Sequence, residues 1–437
     1  MPGAKAGARL RVAVVGAGWA GLAAAVEATA RGHHVSLFEM ARHAGGRARS
    51  DAPEPGTHAL DNGQHILIGA YQDTLALMRR VGVVPDAVLR RQPLTLRYAD
   101  GSGLSLPTGP AAWAFVRGVL AWRDVPLRDR LGLLRWAAGW QWRGFRCSPT
   151  LTVADIGARC PPRVMRDLLD PLSVAALNTP SDTASAQVLL TVLRDALFGP
   201  RGSADLLLPR APLNALLPEA ALRWLAAHGA QLHLGERVDG LTPSPNGWQV
   251  HTRQSSPEHD RVIVATPARE AGRLLAPHAP DWAARAQALR YEPIITVWLD
   301  APGARWPHPM LALRADEQRP AQFGFDLGQL GGPAGRFSLV VSGATRWLDR
   351  PLADVGQAVQ AQLADAWAGN AVWPVERVRI HAVRAEKRAT FACTPGLARP
   401  DAHPLPGLWV AGDHVAGPYP ATLEGAVRAG LHAARQL

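Results

Sequence analysis

The sequence predicts an α/β protein with a parallel sheet flanked by helices in one domain and mixed sheet and helices in a second. Three observations carry this prediction. A buried apolar run leads into a glycine-rich turn and a helix near the N-terminus, an acidic residue ends the next apolar run, and a third apolar run enters Gly-Asp near the C-terminus. This order is typical of a Rossmann-like dinucleotide-binding domain. The 437 residues are too many for one simple core, so at least two domains are expected.

The first glycine-rich turn follows the predicted strand Val12–Val15 and opens a predicted helix. Its first glycine permits the tight turn, its second lets the backbone approach a pyrophosphate, and its third lets the helix pack closely on the strand. The helix N-terminus offers free N–H groups and a positive dipole end to phosphates. The cofactor-binding residues predicted here are Gly16, Gly18, Trp19, Ala20 and Gly21.

The second predicted strand, Val35–Phe38, ends at Glu39. A carboxylate at this position accepts hydrogen bonds from ribose hydroxyls, which indicates FAD or NAD rather than NADP. A second glycine turn follows and carries arginine, which can neutralise a pyrophosphate. Its predicted cofactor contacts are Gly45, Gly46 and Arg47.

This Gly-Gly-Arg-x-Arg-Ser turn resembles the flavin amine oxidase and phytoene desaturase superfamily, which favours FAD over NAD. In that superfamily, the aspartate matching Asp413 bonds the ribityl chain, and the next helix N-terminus faces the flavin pyrimidine. Such N–H groups stabilise negative charge on a reduced flavin. Val238 matches a backbone contact with adenine. The further FAD contacts implied by the resemblance are Gly63, Gln64, Gly412, Thr422, Leu423 and Glu424.

End to end, the chain resembles the hydroxysqualene dehydroxylases, also called squalene-associated FAD-dependent desaturases. The residues that carry this resemblance are Asp61–His65, Gly69–Tyr71, Arg388–Phe391 with Pro395, Gly412–Asp413 and Tyr419–Val427. The resemblance implies removal of the hydroxyl of hydroxysqualene to give squalene for hopanoid synthesis, with NADPH or a reductase as electron donor. Loss of this allylic hydroxyl would leave a cation that accepts hydride from reduced flavin, provided that the protein assists the leaving oxygen and excludes water.

Few polar residues are candidates for catalysis. His65 is predicted as a proton donor, Gln64 as a hydrogen-bonding partner of the leaving oxygen, and Tyr71 and Tyr419 as equally plausible donors. Asp61 is expected to tie down its own loop. The sequence shows no metal-ligand spacing, so no metal site is predicted.

Other activities fit the sequence less well. An amine oxidase has a tyrosine where this chain has Thr422, and a lysine on the strand that matches Ile294–Leu299, which has none. A carotenoid-type desaturase is the nearest alternative, because sequence patterns do not fix the direction of hydride transfer. A peripheral membrane protein with structural FAD is a second alternative. A nucleic-acid binder is a distant third, because no aromatic-basic motif supports it.

The segment from Ala111 to Arg146 interleaves tryptophan, leucine and arginine on predicted helices. This composition fits either a membrane-interface region or ordinary packing helices, whose apolar side chains would line a substrate tunnel. The formal net charge of +11 comes almost entirely from arginine and favours an anionic membrane surface. No uninterrupted apolar run is long enough to predict a transmembrane helix.

Apolar patterns predict the remaining elements. Helices are predicted over Ala154–Asp195, Leu213–His228 and Leu352–Trp367, and a hairpin is predicted at Asp100-Gly101. The strands predicted to return to the nucleotide domain are Gln231–Leu234, Trp248–Thr252 and Arg261–Ala265, and those predicted for the sheet of the second domain are Ile294–Leu299, Gln322–Phe325 and Phe337–Ser342.

The motifs divide the chain into two discontinuous domains. Residues 1–105, 205–275 and 385–437 are assigned to the FAD-binding domain, and residues 106–204 and 276–384 to the substrate domain. The N-terminus lacks the apolar core of a signal peptide, and the three cysteines fit a reducing compartment. We therefore expect a cytoplasmic protein, associated with the inner face of the cell membrane if the 111–146 segment is interfacial.

Overall fold

The computed structural model describes residues 9–51, 58–368, 373 and 375–437. The expectation about a signal peptide concerns in part residues 1–8, which lie outside this range. Two sheets organise the described chain, one parallel and one antiparallel. The α/β class predicted from the sequence is confirmed.

The parallel sheet carries the nucleotide-binding motifs at the carboxyl ends of its strands. Its five strands, in spatial order, are Leu408–Val410, Arg261–Val264, Arg11–Val15, His34–Glu39 and Gln231–Leu234. Nearly every residue of the central strand is buried, as expected for a sheet covered on both faces. The strand order therefore brings the N-terminal glycine turn and the C-terminal Gly-Asp to one edge.

Helices cover this sheet and connect its strands. They are Trp19–Ala30, Gln72–Arg80, Pro85–Val88, Leu213–Leu216, Pro218–Ala227, Ala268–Leu275, Pro280–Gln287 and Leu423–Arg435. The single helix expected from Leu213 to His228 is wrong. It breaks at Leu217, whose backbone is not helical, because the residue before a proline is disfavoured in the α region.

A small antiparallel sheet projects beside the nucleotide-binding sheet. It contains Val238–Ser244, Gly247–Thr252 and Glu258–His259. The expected strand Trp248–Thr252 therefore exists, but it pairs within this small sheet rather than joining the parallel one. Its alternating buried and exposed residues suit a sheet with one covered face.

The second large sheet is antiparallel and forms the wall opposite the nucleotide-binding loops. Its strands, in spatial order, are Met310–Ala312, Phe323–Asp326, Arg336–Val341, Tyr291–Asp300 and Arg379–Phe391. The strands predicted at Ile294–Leu299, Gln322–Phe325 and Phe337–Ser342 are confirmed within a few residues. The helix Leu352–Ala366 packs on this sheet, also as predicted.

The remaining helices form a separate layer over the second sheet. They are Ala111–Ala121, Leu127–Trp142, Val153–Gly157, Pro162–Val164, Asp170–Leu177 and Ala186–Phe198, with a π-helical turn at Met165–Leu169. Short 3₁₀ helices lie elsewhere in the chain, at Leu327–Leu330, Ala344–Trp347 and Val375–Arg377. The stretch expected to be helical from Ala154 to Asp195 is interrupted, notably at Asn178, which adopts a left-handed conformation (φ +48°). None of the described helices has the length and hydropathy to cross a membrane.

Short strands link the two large sheets. A hairpin of Thr95–Arg97 and Gly103–Ser105 turns at Asp100-Gly101, as predicted, and Leu206–Pro209 pairs with both Leu67–Ile68 and Leu89–Gln92. The hairpin side chains share an apolar cluster with Met310 and Phe323 of the second sheet. These links hold the two sheets around a common cavity.

Candidate active site

A cavity of about 1650 Å³ lies between the loops of the parallel sheet and the face of the antiparallel sheet. Every residue that the sequence predicted for cofactor binding or catalysis lines it, except Gly21. One part is bordered by glycine turns and polar side chains, and the other by apolar side chains of the second sheet and helical layer. The two parts are continuous, so molecules held in each would be in contact.

The first glycine turn has the close packing that its spacing predicts. Gly16 has a positive φ of +105°, and a Cβ there would lie 2.7 Å from the carbonyl oxygen of Ala265. A Cβ on Gly21 would lie 1.8 Å from the carbonyl oxygen of Gly16, so Gly21 serves helix packing rather than the cavity surface. Gly18 differs, because a Cβ there would meet only Gly46 Cα, at 3.9 Å. Gly18 therefore leaves space on the cavity side.

Glu39 stands at the end of its strand, on the cavity wall. One carboxylate oxygen accepts from the Ala17 N–H at 2.8 Å and the other from the Ala41 N–H at 2.9 Å. A carboxylate offers about four acceptor positions, so two backbone bonds leave capacity for ribose hydroxyls. The residue is thus fixed in place and still able to bind a diol.

Thr266 is a site residue that sequence reasoning missed. It follows the strand Arg261–Val264, lines the cavity beside Gly16, and its buried hydroxyl has no hydrogen-bond partner among the residues that the structure describes. A buried hydroxyl without a partner is costly, so a polar ligand group at this point would relieve it. The signal in the sequence was its place after a parallel strand, the edge where α/β proteins bind ligands.

Arg47 and Asp413 form an ion pair at the centre of the polar part. Arg47 donates one Nη2 hydrogen bond to Asp413 Oδ1 at 2.6 Å and one from Nη1 to the Ala389 carbonyl at 2.7 Å. Burial opposes ionisation of Asp413, but Arg47 and His414 outweigh it and hold the pKa of Asp413 well below its usual range. The sequence predicted each residue as a separate cofactor contact and did not predict the ion pair between them. It brings the second glycine turn and the C-terminal Gly-Asp together.

The C-terminal helix begins beside this pair. Thr422 caps it by accepting from the Gly425 N–H at 3.0 Å, and Leu423 lines the cavity. The Glu424 carboxylate accepts from the Thr74 N–H at 2.9 Å and pairs with Arg428. The Glu424 side chain is thereby engaged with the N-terminus of the helix Gln72–Arg80, and its cofactor contact stays a prediction.

His65 has a defined hydrogen bond in the cavity wall. Its Nδ1 lies 3.2 Å from the Gly63 carbonyl, and since a carbonyl only accepts, Nδ1 carries the proton. Burial lowers the pKa of His65, and the charge of Arg47 lowers it further. The ring is then neutral at pH 7 with Nε2 as an acceptor, and the role of proton donor stays a prediction. Gln64 lines the cavity next to it.

The two tyrosine candidates differ in their environments. The Tyr419 hydroxyl donates to Asp195 at 2.7 Å and accepts from Arg428 at 2.8 Å, while burial and Asp195 raise its pKa to about 12. The hydroxyl proton of Tyr419 is therefore already held in the hydrogen bond to Asp195. Tyr71 precedes the helix Gln72–Arg80, and burial together with nearby Glu424 raises its pKa. Asp61 accepts from Ser50 and the Leu213 N–H, which fits the expected loop-fixing role.

The second part of the cavity is lined by apolar side chains from several elements. They include Ile66, Ile68, Leu94, Leu96, Leu172, Leu189, Val192, Leu193, Leu206, Ile294, Met310, Phe323, Phe325 and Val340. No residue from 111 to 146, a range that is fully described, belongs to this lining. The expectation that this tryptophan-rich segment lines the tunnel is therefore wrong, because the Ala186–Phe198 helix and the second sheet occupy that position.

Comparison with known proteins places the chain in a family. The sequence profile described as flavin containing amine oxidoreductase matches residues 19–437. The chain belongs to the flavin-containing amine oxidoreductase family. It is thus a flavin oxidoreductase, and FAD is its cofactor.

Individual relatives refine the comparison. Hydroxysqualene dehydroxylases from Rhodopseudomonas palustris and Sinorhizobium fredii are each 28% identical, over 97% of this chain and 97% of their own. A probable zeta-carotene desaturase from Synechococcus elongatus is 26% identical over 58% of this chain and 56% of its own. Among solved structures, an oxidoreductase from Methanosarcina mazei superposes with a TM-score of 0.75 at 17% identity, covering 98% of this chain and all of that one. The resemblance to the hydroxysqualene dehydroxylases extends over nearly the whole chain, as the sequence motifs indicated.

Proposed function

We propose that this protein removes the hydroxyl of hydroxysqualene reductively to give squalene, using reduced FAD. One observation supports this most: the apolar part of the cavity opens directly onto the part bordered by the dinucleotide-binding motifs. The full-length similarity to hydroxysqualene dehydroxylases agrees with it. In this proposal FAD contacts the predicted residues around Glu39, Gly46 and Asp413.

The size of the cavity supports two occupants. Pockets for one small molecule measure roughly 300–1,000 Å³, so about 1650 Å³ leaves room for a long substrate beside a dinucleotide. The lining of the second part is aliphatic and aromatic, which suits a polyene with a single hydroxyl.

Replacing a C–OH group by C–H requires a hydride, and a proton so that the hydroxide leaves as water. FAD, when bound and reduced, supplies the hydride. The apolar walls exclude bulk water from the carbon that loses its hydroxyl. In this proposal neutral His65 accepts the hydrogen bond of the substrate hydroxyl through Nε2, Gln64 fixes the oxygen, and Tyr71 is the candidate proton donor. Tyr419 is less suited, because its proton is bound to Asp195.

A carotenoid-type desaturase is the second candidate, favoured by the partial similarity to the Synechococcus protein. It would use the same cavity but pass hydride from the polyene to oxidised flavin. Incubating the purified protein with hydroxysqualene plus NADPH or another reductant, and separately with phytoene plus an oxidant, distinguishes them by mass spectrometry of the products. Squalene from the first incubation supports the proposal. Dehydrogenated phytoene without squalene would overturn it.

The proposal also concerns where the substrate resides. Hydroxysqualene is almost entirely hydrocarbon and partitions into membranes, so we propose that the enzyme meets it at the inner face of the cell membrane. NADPH or a partner reductase as the source of electrons remains part of the same proposal.

A further inference from the structure

We infer that one face of the two-helix unit Ala111–Ala121 and Leu127–Trp142 docks on an anionic lipid bilayer. The inference rests on the proposed function only in naming the substrate that would be drawn from that bilayer. The face is defined by large apolar side chains that the described structure leaves exposed, namely Trp113 (68%), Leu120 (44%), Leu127 (56%), Leu131 (46%) and Trp142 (87%).

The exposed side chains follow helical spacing. Trp113 and Leu120 lie seven residues apart, about two turns, and so share one side of the first helix. Leu127 and Leu131 lie one turn apart on the second helix. Arg130 donates a hydrogen bond to the Leu120 carbonyl at 2.5 Å, which joins the end of the first helix to the start of the second. On each helix the exposed apolar residues therefore share one side, and the two helices are joined where the first ends and the second begins.

The buried tryptophans of the same segment show that this exposure is selective. Trp122 and Trp140 are buried, and Trp136 donates its indole N–H to the Ile156 carbonyl at 2.9 Å. Ordinary packing helices bury their apolar face and expose a polar one. Here the inner face is packed as usual, and the outer face carries large apolar side chains as well as basic ones, as in helices that lie in a membrane interface.

The charge of this surface selects the type of membrane. The same segment carries exposed arginines, and they are Arg117, Arg123, Arg128, Arg135, Arg143 and Arg146. Each basic side chain near an anionic surface adds an attraction that falls off within a Debye length and is therefore weakened by salt. The formal net charge of +11 adds a general attraction of the same sign. A bilayer that contains acidic lipid headgroups fits both the apolar and the basic groups.

The two-helix unit lies next to an element that lines the cavity. The first helix packs against Ala186–Phe198, and that helix also lines the cavity through Leu189, Val192 and Leu193. A small cavity of about 10 Å³ borders the first helix at Ala111 and Ala114, and its other walls include Leu94 and Ala204, which also line the large cavity. The two-helix unit is therefore connected to the apolar part of the cavity by elements that contact both.

Vesicle flotation tests the docking directly. The wild type, a face variant and a control variant are mixed with vesicles of phosphatidylcholine alone or with phosphatidylglycerol added. The face variant combines Trp113→Gln, Leu127→Gln and Trp142→Gln. The control combines Val84→Gln, Leu234→Gln and Leu352→Gln, which replace exposed apolar residues elsewhere. We expect the wild type and the control to bind anionic vesicles, and this binding to weaken as salt is added. We expect the face variant to bind the same vesicles at least about tenfold more weakly.

Two results would overturn the docking: wild type that does not float with anionic vesicles, or a face variant that floats as the wild type does. Loss of a concentration-dependent dimer in the face variant, with no vesicle binding by wild type, would assign the face to a second copy instead.

Turnover of detergent-dispersed hydroxysqualene tests the proposed activity separately from the docking. Wild type that floats but makes no squalene retains the docking and rejects the activity, whereas squalene without flotation does the reverse. The flavin absorbance of each variant confirms that it is folded.

Discussion

The contrast between Gly18 and Gly21 gives the sharpest test of the cofactor site. Both belong to one turn, yet the space around them differs. A Cβ on Gly18 would meet only one backbone atom at 3.9 Å, whereas a Cβ on Gly21 would lie 1.8 Å from the Gly16 carbonyl oxygen. Gly18 has a φ of −71°, which every residue type can adopt. We therefore predict that Gly18→Val removes FAD while the protein stays folded, and that Gly21→Ala damages the fold itself.

The expected magnitudes follow from this geometry. Valine at the helix N-cap costs about 1 kcal/mol relative to glycine, because it caps poorly. The larger effect is on the holoprotein, since FAD at a hundred times its Kd contributes about 2.7 kcal/mol that the variant no longer gains. For Gly21→Ala the overlap must be relieved by moving the helix off the strand, a change worth about 3 kcal/mol in the apoprotein.

The assay combines visible absorbance, fluorimetric FAD titration and unfolding of the apoproteins. Gly18→Val should be colourless, bind FAD at least about a hundredfold more weakly and unfold close to the wild-type apoprotein. Gly21→Ala should unfold distinctly earlier without FAD. A yellow Gly18→Val protein, or two apoproteins of equal stability, would refute the reasoning.

Three further predictions concern single side chains. Glu39→Ala should raise the Kd for FAD roughly tenfold to a hundredfold, because it removes charge-assisted hydrogen bonds to the ribose. An unchanged Kd would reject this contact. Thr266→Val should weaken FAD binding about twofold to tenfold, yet leave the apoprotein as stable as wild type, because the hydroxyl has no partner to lose; a destabilised apoprotein with unchanged FAD affinity contradicts this role. His65→Ala should slow turnover without flavin loss, and full activity would exclude it from the reaction. Burial lowers the pKa of His65, so its neutral form prevails at pH 7. The wild-type rate should therefore not depend on this group above pH 6.5, and it should fall at more acidic pH as the ring becomes protonated. A rate that instead rises at acidic pH, and no longer does so in His65→Ala, would assign His65 as a proton donor.

The sequence predicted the fold of the nucleotide-binding part well, because local backbone geometry decides it there. A tight turn and a close helix–strand contact each require glycine at a fixed position, and Gly16 and Gly21 show that packing directly. The cofactor contacts of Gly18 and Glu39 stay predictions that rest on their positions after the first strand and at the end of the second. The strands of the second sheet were found from their apolar runs.

Tertiary contacts decided what the sequence left open. The tryptophans at 113 and 140 look alike in sequence, and only the packing of the Ala186–Phe198 helix makes one exposed and the other buried. The Arg47–Asp413 pair joins positions 366 residues apart in the chain, a distance no local pattern spans. Likewise, the neutral state of His65 follows from its burial, and the engagement of the Glu424 side chain follows from the position of the helix Gln72–Arg80.

The proposed activity is tested most directly by an anaerobic reoxidation experiment. The purified flavoprotein is reduced without oxygen, hydroxysqualene in detergent is added, and the visible spectrum and the extracted lipid are followed together. We predict that the oxidised flavin spectrum returns as squalene forms, one mole for each mole of flavin. A flavin that stays reduced with hydroxysqualene intact, while the oxidised enzyme dehydrogenates a polyene, would contradict the proposal and identify a desaturase.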